Sequence, residues 1–159
     1  MIRLIIISIT FQLLGGFMIQ SVAQTLSKQQ VVQITNQVDS VFQEMLILAE
    51  KLEYDKLSSG VDDTREAGFI SNRKYYPHYA SMIDELKPSA QGVSHQDISI
   101  NQKKITVLSD KIVLMTTSGI SNAYLNDGRE ITVNFHWSFV YEKIDNNWKV
   151  IHSHQSTTR

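Results

Sequence analysis

Two histidines stand two positions apart in the closing segment Trp148-Lys149-Val150-Ile151-His152-Ser153-His154-Gln155-Ser156. On a strand, residues i and i+2 share a face, so both imidazoles could reach one ion. A zinc site needs a third ligand and usually a fourth. His136 could join from the preceding run, but the chain has no cysteine and no carboxylate is recognisably placed. The pattern therefore predicts no metal and no cofactor, and reads the pair as hydrogen-bonded structural or interface histidines. Acid–base chemistry has four candidates: Asp62, Asp63, His78 and His95. A base of this kind works when desolvation tunes its pKa toward neutrality. Asp62 and Asp63 fall in the charged run Asp62-Asp63-Thr64-Arg65-Glu66 and read as loop or cap residues. His78, after Tyr75-Tyr76-Pro77, is the stronger candidate, with Asp62 behind it; neither sits in a motif. No serine lies in a G-x-S-x-G elbow, and no glycine loop could cradle a phosphate. Asn126-Asp127-Gly128 is a hairpin turn, since the alternating carboxylates of a calcium loop are missing.

The aromatic run Phe135-His136-Trp137-Ser138-Phe139-Val140-Tyr141 offers binding rather than catalysis. By period two, Phe135, Trp137, Phe139 and Tyr141 share one face, and His136, Ser138, Val140 and Glu142 the other. That aromatic face is core, lining of an apolar pocket, or both. Trp137 and Tyr141 carry N–H and O–H groups able to orient a ligand.

These residues need elements to position them. Ser27-Lys28-Gln29-Gln30 has the form of a capping box, and apolar residues recur at Val31, Ile34, Val38, Val41/Phe42, Met45, Leu48/Ala49 and Leu52. That rhythm predicts a helix from about Lys28 to Leu57, broken near its C-terminal third and stopped by Ser58-Ser59-Gly60. Phe69 to Tyr76 reads as a small hairpin around Asn72-Arg73. Pro77 then opens a short helix with Tyr79, Met82, Ile83 and Leu86 on its apolar face, ended by Lys87-Pro88. Strands follow at Ser94–Val107, Ile112–Ala123, Ile131–Ile144 and Trp148–Thr157. Turn formers separate them, so they should make an antiparallel meander. Alternation along the last strand puts Trp148, Val150, His152, His154 and Ser156 on one face, and Ile151, Ser153, Gln155 and Thr157 on the other.

The chain has 159 residues, enough for one domain with a sizeable core. Met1-Ile2-Arg3, an apolar run to Ile19 and Ser21-Val22-Ala23 have the layout of a secretory signal peptide cleaved after Ala23. A retained anchor is the rival reading. Residues 24–159 then form the domain, exported to a periplasm or the exterior and free of the membrane after cleavage. Fifteen basic and sixteen acidic residues give a net charge of −1, without the basic footprint of a nucleic-acid binder. Without cysteine, stability rests on packing alone.

The ending W-x-x-(V/I)-H-x-H-x-S on a chain of this size resembles the nuclear transport factor 2-like superfamily. Within it, the closest patterns are SnoaL-like domains and the association domain of calcium/calmodulin-dependent protein kinase II. The resemblance implies an α+β cone, a long N-terminal helix and a short helix packed on a strongly curved antiparallel sheet of four to six strands. It further implies a homodimer and a cone-shaped pocket for a small apolar or amphipathic molecule. Tyr75, Tyr76, Trp137, Phe139, Tyr141 and Gln155 would line that pocket. The positions matching Phe139 and Gln155 carry pocket arginines in the kinase association domain; here neither is basic, so that anion pocket is not carried over. By the same matching His152 and His154, with Trp148, belong to the outer face or interface. Isomerase, cyclase or dehydratase chemistry with a His or Asp base, and a pure oligomerisation role, are the alternatives.

Overall fold

The computed structural model describes residues 25–158, so the segment read as a signal peptide, residues 1–23, lies outside the described residues. Helix α1 spans Lys28–Glu50. Its start is a complete capping box: Gln30 N–H donates to Ser27 Oγ, and Ser27 N–H donates to the Gln30 side chain. The break expected in its last third falls at Leu52, whose φ of 59° turns the chain left-handed. Lys51, Leu52 and Glu53 donate back to Ile47, Ala49 and Leu48, which caps the free carbonyls of the last turn. Helix α2 (Tyr54–Leu57) and a 3-10 turn at Ser58–Gly60 follow.

Strands β1 (Phe69–Ser71) and β2 (Lys74–Tyr76) form the small hairpin, with Asn72 and Arg73 both at positive φ in the turn. Helix α3 runs from Tyr79 to Ser89. It continues through Pro88 to Ser89 rather than ending at Lys87-Pro88. Then come β3 (Val93–Val107), β4 (Ile112–Leu125), β5 (Glu130–Ile144) and β6 (Asn147–Thr158). The sheet order is β2-β1-β6-β5-β4-β3. All neighbours are antiparallel except β1 and β6, which run parallel, so the sheet is mixed. The architecture is α+β, with helices packed on one face of an open, six-stranded sheet.

The core lies between α1 and the inner face of the sheet. Ile34, Val38, Phe42 and Leu46 form the buried stripe of α1, facing Val113, Met115, Phe139, Tyr141, Trp148 and Val150. Phe42 meets Phe139 with ring centroids 5.9 Å apart. One edge of the sheet, β3, is tied to the end of the helix: Ile98 N–H donates to Glu50 Oε1 and Gln96 Nε2 to the Ala49 carbonyl. An edge strand otherwise presents unpaired backbone groups to other chains.

The sheet bends through irregularities in its ladder. Asn101 is an extra residue in β3, between the pairs Ile100↔Gly119 and Gln102↔Ser118. In β6 the pairs Val140↔His152 and Tyr141↔Val150 leave Ile151 over. Each is a β-bulge, which kinks and twists its strand. Gly119 on β4 sits in the angle: a Cβ there would lie 2.0 Å from the Ser99 carbonyl and 2.6 Å from the Phe135 ring. Thr117, buried beside it, donates its hydroxyl to the Gln102 carbonyl at the bulge. Gly119→Ala should therefore destabilise the domain by about 1–3 kcal/mol, because the backbone of β3 must shift to admit a methyl. A fall in the urea midpoint measures it; an unchanged midpoint would mean that the bend does not depend on this glycine.

Candidate functional site

Where α1 and α3 diverge over the sheet, the inner face encloses a cavity of about 460 Å³. Its walls come from α1 (Phe42, Met45, Leu46), from α3 (Tyr79, Met82, Leu86) and from the sheet (Ile98, Val133, Phe135, Trp137, Phe139). Trp137 stacks on Phe135 at 3.9 Å and meets Phe139 edge-on. Phe135 is fully buried over Gly119, and the half-buried indole lies beside it on the same cavity wall. The lining is mostly apolar, with polar side chains such as Ser71, Asn72, Gln96, Ser121 and Gln155 set among the apolar ones.

Those polar groups have defined directions. Gln96 spends its amide nitrogen on the Ala49 carbonyl and Gln155 spends its own on Ser153 Oγ, 3.2 Å away. Lys74 of β2 and Glu85 of α3 are the charged residues of the lining; they pair across the mouth, each about half exposed. The Lys74 ammonium also lies 5.0 Å over the Tyr76 ring. Hydrogen bonding from Lys74 holds the Glu85 carboxyl below its ordinary pKa, with a further hydrogen bond from Tyr76.

Among the residues expected to line a pocket, Tyr76, Trp137, Phe139 and Gln155 lie on this cavity. Tyr75 does not. In a three-residue strand, neighbours point to opposite sides, so Tyr75 stands 60% exposed on the outer side with its ring over Gly68. Tyr141 is also displaced, into the solid core beyond the closed end, where its hydroxyl has the Met45 sulfur at 3.9 Å as partner. Burial, with the Asp39 charge second and Tyr79 third, pushes its phenol pKa up.

The outer-face assignment of Trp148 is corrected. Its side chain is buried in the core and its indole N–H donates to Gln37 of α1 at 3.0 Å. The Ile151 bulge is the reason: Trp148 and Val150 face inward before it, and Ser153 and Gln155 face inward after it. His152 and His154 point the other way. His152 Nδ1 donates to the Gly68 carbonyl at 2.8 Å, and His154 is exposed beside Ser138. Among the described residues no three His, Cys, Asp or Glu side chains cluster closely enough to hold a metal ion.

None of the acid–base candidates lines the cavity. Asp63 accepts from the Tyr79 backbone N–H through both carboxylate oxygens, capping α3 in place of its exposed N-cap residue His78. Asp62 closes a turn on Thr64, whose hydroxyl and N–H hold its carboxyl below the ordinary pKa range. His95 stacks on Tyr124 at 4.4 Å, exposed. Sequence reasoning missed Lys74, Glu85, Gln96 and the helix residues Phe42 and Met82 as lining. Gln96 alternates with Ile98 and Ile100, which is the signal that could have found it.

A family profile described as calcium/calmodulin dependent protein kinase II association domain matches residues 78–159. Solved structures with the same fold include a nuclear transport factor 2-like superfamily protein from Salmonella enterica. It has 16% identity and a TM-score of 0.69, covering 81% of this chain and 94% of that one. A Xanthomonas campestris protein described as a candidate kinase II association domain has 15% identity and a TM-score of 0.66, covering 76% and 85%. A Novosphingobium aromaticivorans protein described as a candidate scytalone dehydratase has 8% identity and a TM-score of 0.71, covering 84% and 89%. At these identities the likeness speaks for the fold alone. Comparison with curated protein sequences finds no match.

Two predictions follow the buried groups. Because Tyr141 is raised in the folded chain, the unfolded chain loses its phenol proton first, near an ordinary pKa of about 10. The stability from keeping it neutral is complete below that pH and drains away as pH climbs toward the folded value. Tyr141→Phe should flatten the alkaline decline of the urea midpoint, at a cost below about 1 kcal/mol at neutral pH, since its hydroxyl has only a sulfur partner. Asp63→Ala should cost about 1 kcal/mol through the lost cap of α3, whereas His78→Ala should cost almost nothing in the same melts.

Proposed function

The chain belongs to the calcium/calmodulin dependent protein kinase II association domain family, and from that premise we propose that it is an exported, homodimeric binding domain. Its cone takes a small apolar or amphipathic molecule and does not transform it. The observation that carries this reading is the cavity of about 460 Å³, walled by aromatic and aliphatic side chains and open at one end. Its volume falls within the roughly 300–1,000 Å³ of ordinary ligand sites.

Catalysis of the isomerase or dehydratase kind needs an acid or base desolvated within the cone. The one carboxylate of the lining, Glu85, is half exposed and committed to Lys74. Asp62 and Asp63 are bound to Thr64 and to the Tyr79 N–H, and His78 stands exposed off the cavity lining, so the residue placement favours binding. Fold alone transfers no reaction. Export rests on the signal-like pattern of residues 1–23, and dimerisation on the family, with the sheet's outer face around His152 and His154 as the surface. Among the described residues no helix is long and apolar enough to cross a membrane.

Nile red, a neutral apolar dye, tests the cavity. Its fluorescence should rise and saturate at one dye per chain, and Trp137→Ala should weaken binding roughly tenfold by removing an aromatic wall. Absence of saturable binding to protein shown folded by circular dichroism would refute the binding role. Sedimentation of the same sample should give twice the chain mass, and a persistent monomer at high concentration would remove the dimer from the reading.

A further inference from the structure

The face of the sheet turned away from the cone carries a trough of about 510 Å³. Short hydroxyl side chains, Thr116, Ser118 and Ser138, make its floor, and the longer Lys104, His136 and His154 stand around them. The register fixes their placement. Ser138 is flanked by Thr116 on β4 and His154 on β6, and Lys104 on β3 is the next residue beyond Thr116. His136 lies two positions back on the strand of Ser138, hence on the same face. Neighbouring strands are about 4.8 Å apart, so a lysine two strands away can extend over Thr116 toward Ser138.

Every ionisable group that stands in this trough is a cation or can become one. Lys103 also borders it, but turns its ammonium to the other face, where Asp39 of α1 takes it. The lining holds no carboxylate. Neither do the rows on either side, Leu114-Val140-His152 and Ile120-Asn134-Thr158. The first acidic residues beyond them on these strands are Asp97 and Glu142, and Glu142 is held by Arg65. Three of the chain's five histidines, His136, His152 and His154, gather here. His152 is committed to the Gly68 carbonyl. Among the described residues the ammonium of Lys104 has no ion pair, and the imidazoles of His136 and His154 have no hydrogen-bond partner. In a chain with sixteen acidic residues to fifteen basic, a zone of donors with no opposing carboxylate is a local environment suited to an anion.

We propose that this trough is a second binding site, for a small oxyanion of the phosphate or sulfate class. The anion sits over Ser138 and accepts from Lys104, His136 and His154, with the hydroxyls of Thr116 and Ser118 completing its shell. The site is on the opposite face of the sheet from the cone and does not depend on what the cone binds. It is also compatible with the proposed dimer. A two-fold contact through this face sets each cation against its own kind, and an oxyanion held there offsets that repulsion.

Sodium sulfate titrated into the folded protein at about pH 6, against sodium chloride at equal ionic strength, tests the site through the histidine ring resonances. Those of His136 and His154 should shift along a saturating curve, with a dissociation constant on the order of millimolar for charge-assisted bonds at an exposed site. His78 and His95, outside the trough, should move no more than they do in chloride. Lys104→Gln should weaken sulfate roughly fivefold. Sulfate keeps both charges as the pH rises to about 8, while imidazoles lose theirs, so binding should weaken several-fold over that range. Equal movement in sulfate and chloride, a saturating shift that survives Lys104→Gln unchanged, or an affinity that does not fall with rising pH would overturn the proposal. Repeating the titration with glycerol phosphate separates the sources of the anion. Binding no tighter than sulfate marks a free oxyanion, tighter binding marks the phosphate group of a larger molecule, and both uphold the site.

Discussion

The rest of the structure depends on how the sheet bends without giving up its hydrogen-bonded ladder. A flat sheet would let α1 and α3 lie flush on it and would leave no cone. Here β3 and β6 carry extra residues within their ladders, Asn101 and Ile151, and β4 yields with Gly119, where a methyl would strike the Ser99 carbonyl. Bulges and glycines are the usual means by which a sheet turns a corner. The consequence is a division of the inner face. Before the bend, Trp148, Val150 and Tyr141 pack solidly under α1; beyond it, Phe135, Trp137 and Gln155 face open space.

That bend also explains what could and could not be read in advance. The stripe of α1, its capping box, the Asn72-Arg73 and Asp145-Asn146 turns and the four long strands were all legible, because each is a local pattern of period 3.6, period 2 or turn chemistry. Strand limits came within a residue or two. Nothing local marks Ile151 as an extra residue, since its type suits an ordinary strand. Alternation counted from Trp148 therefore carried the wrong side chain to the outer face, although His152 and His154 do point outward. The same rule of alternation should have separated Tyr75 from Tyr76, which cannot both face one cavity. The parallel pairing of β1 with β6 joins segments distant in the chain, and periodicity is silent on it.

The site was legible as residue types and not as partners. Asp63 has the chemistry of a general base, but both of its oxygens receive the Tyr79 N–H, which ties it to the start of α3. Asp62 is bound into its own turn by Thr64. The Asp62 carboxylate, held by donors, is stabilised in its charged form, which lowers its basicity, the opposite of what desolvation does for a catalytic acid in an apolar cone. Lys74 and Glu85 carried no signal because their approach requires the hairpin and α3 to be docked side by side, a tertiary event that a separation of eleven positions does not announce.

The two faces of the sheet now differ in the kind of contact they can make. The inner face offers aromatic surface and shape. On the outer face the register aligns Lys104, Thr116, Ser138 and His154 in one row, and Gln102, Ser118, His136 and Ser156 in the next. Such rows supply hydroxyls, amides and imidazoles rather than apolar area, so a second copy docked there would be held by hydrogen bonds and bridging water, in the manner of a wet interface. Ligand and partner would then be separated by the thickness of one sheet. Strand β6 serves both, sending Ser153 and Gln155 inward and His152 and His154 outward, with the Ile151 bulge directly beside them.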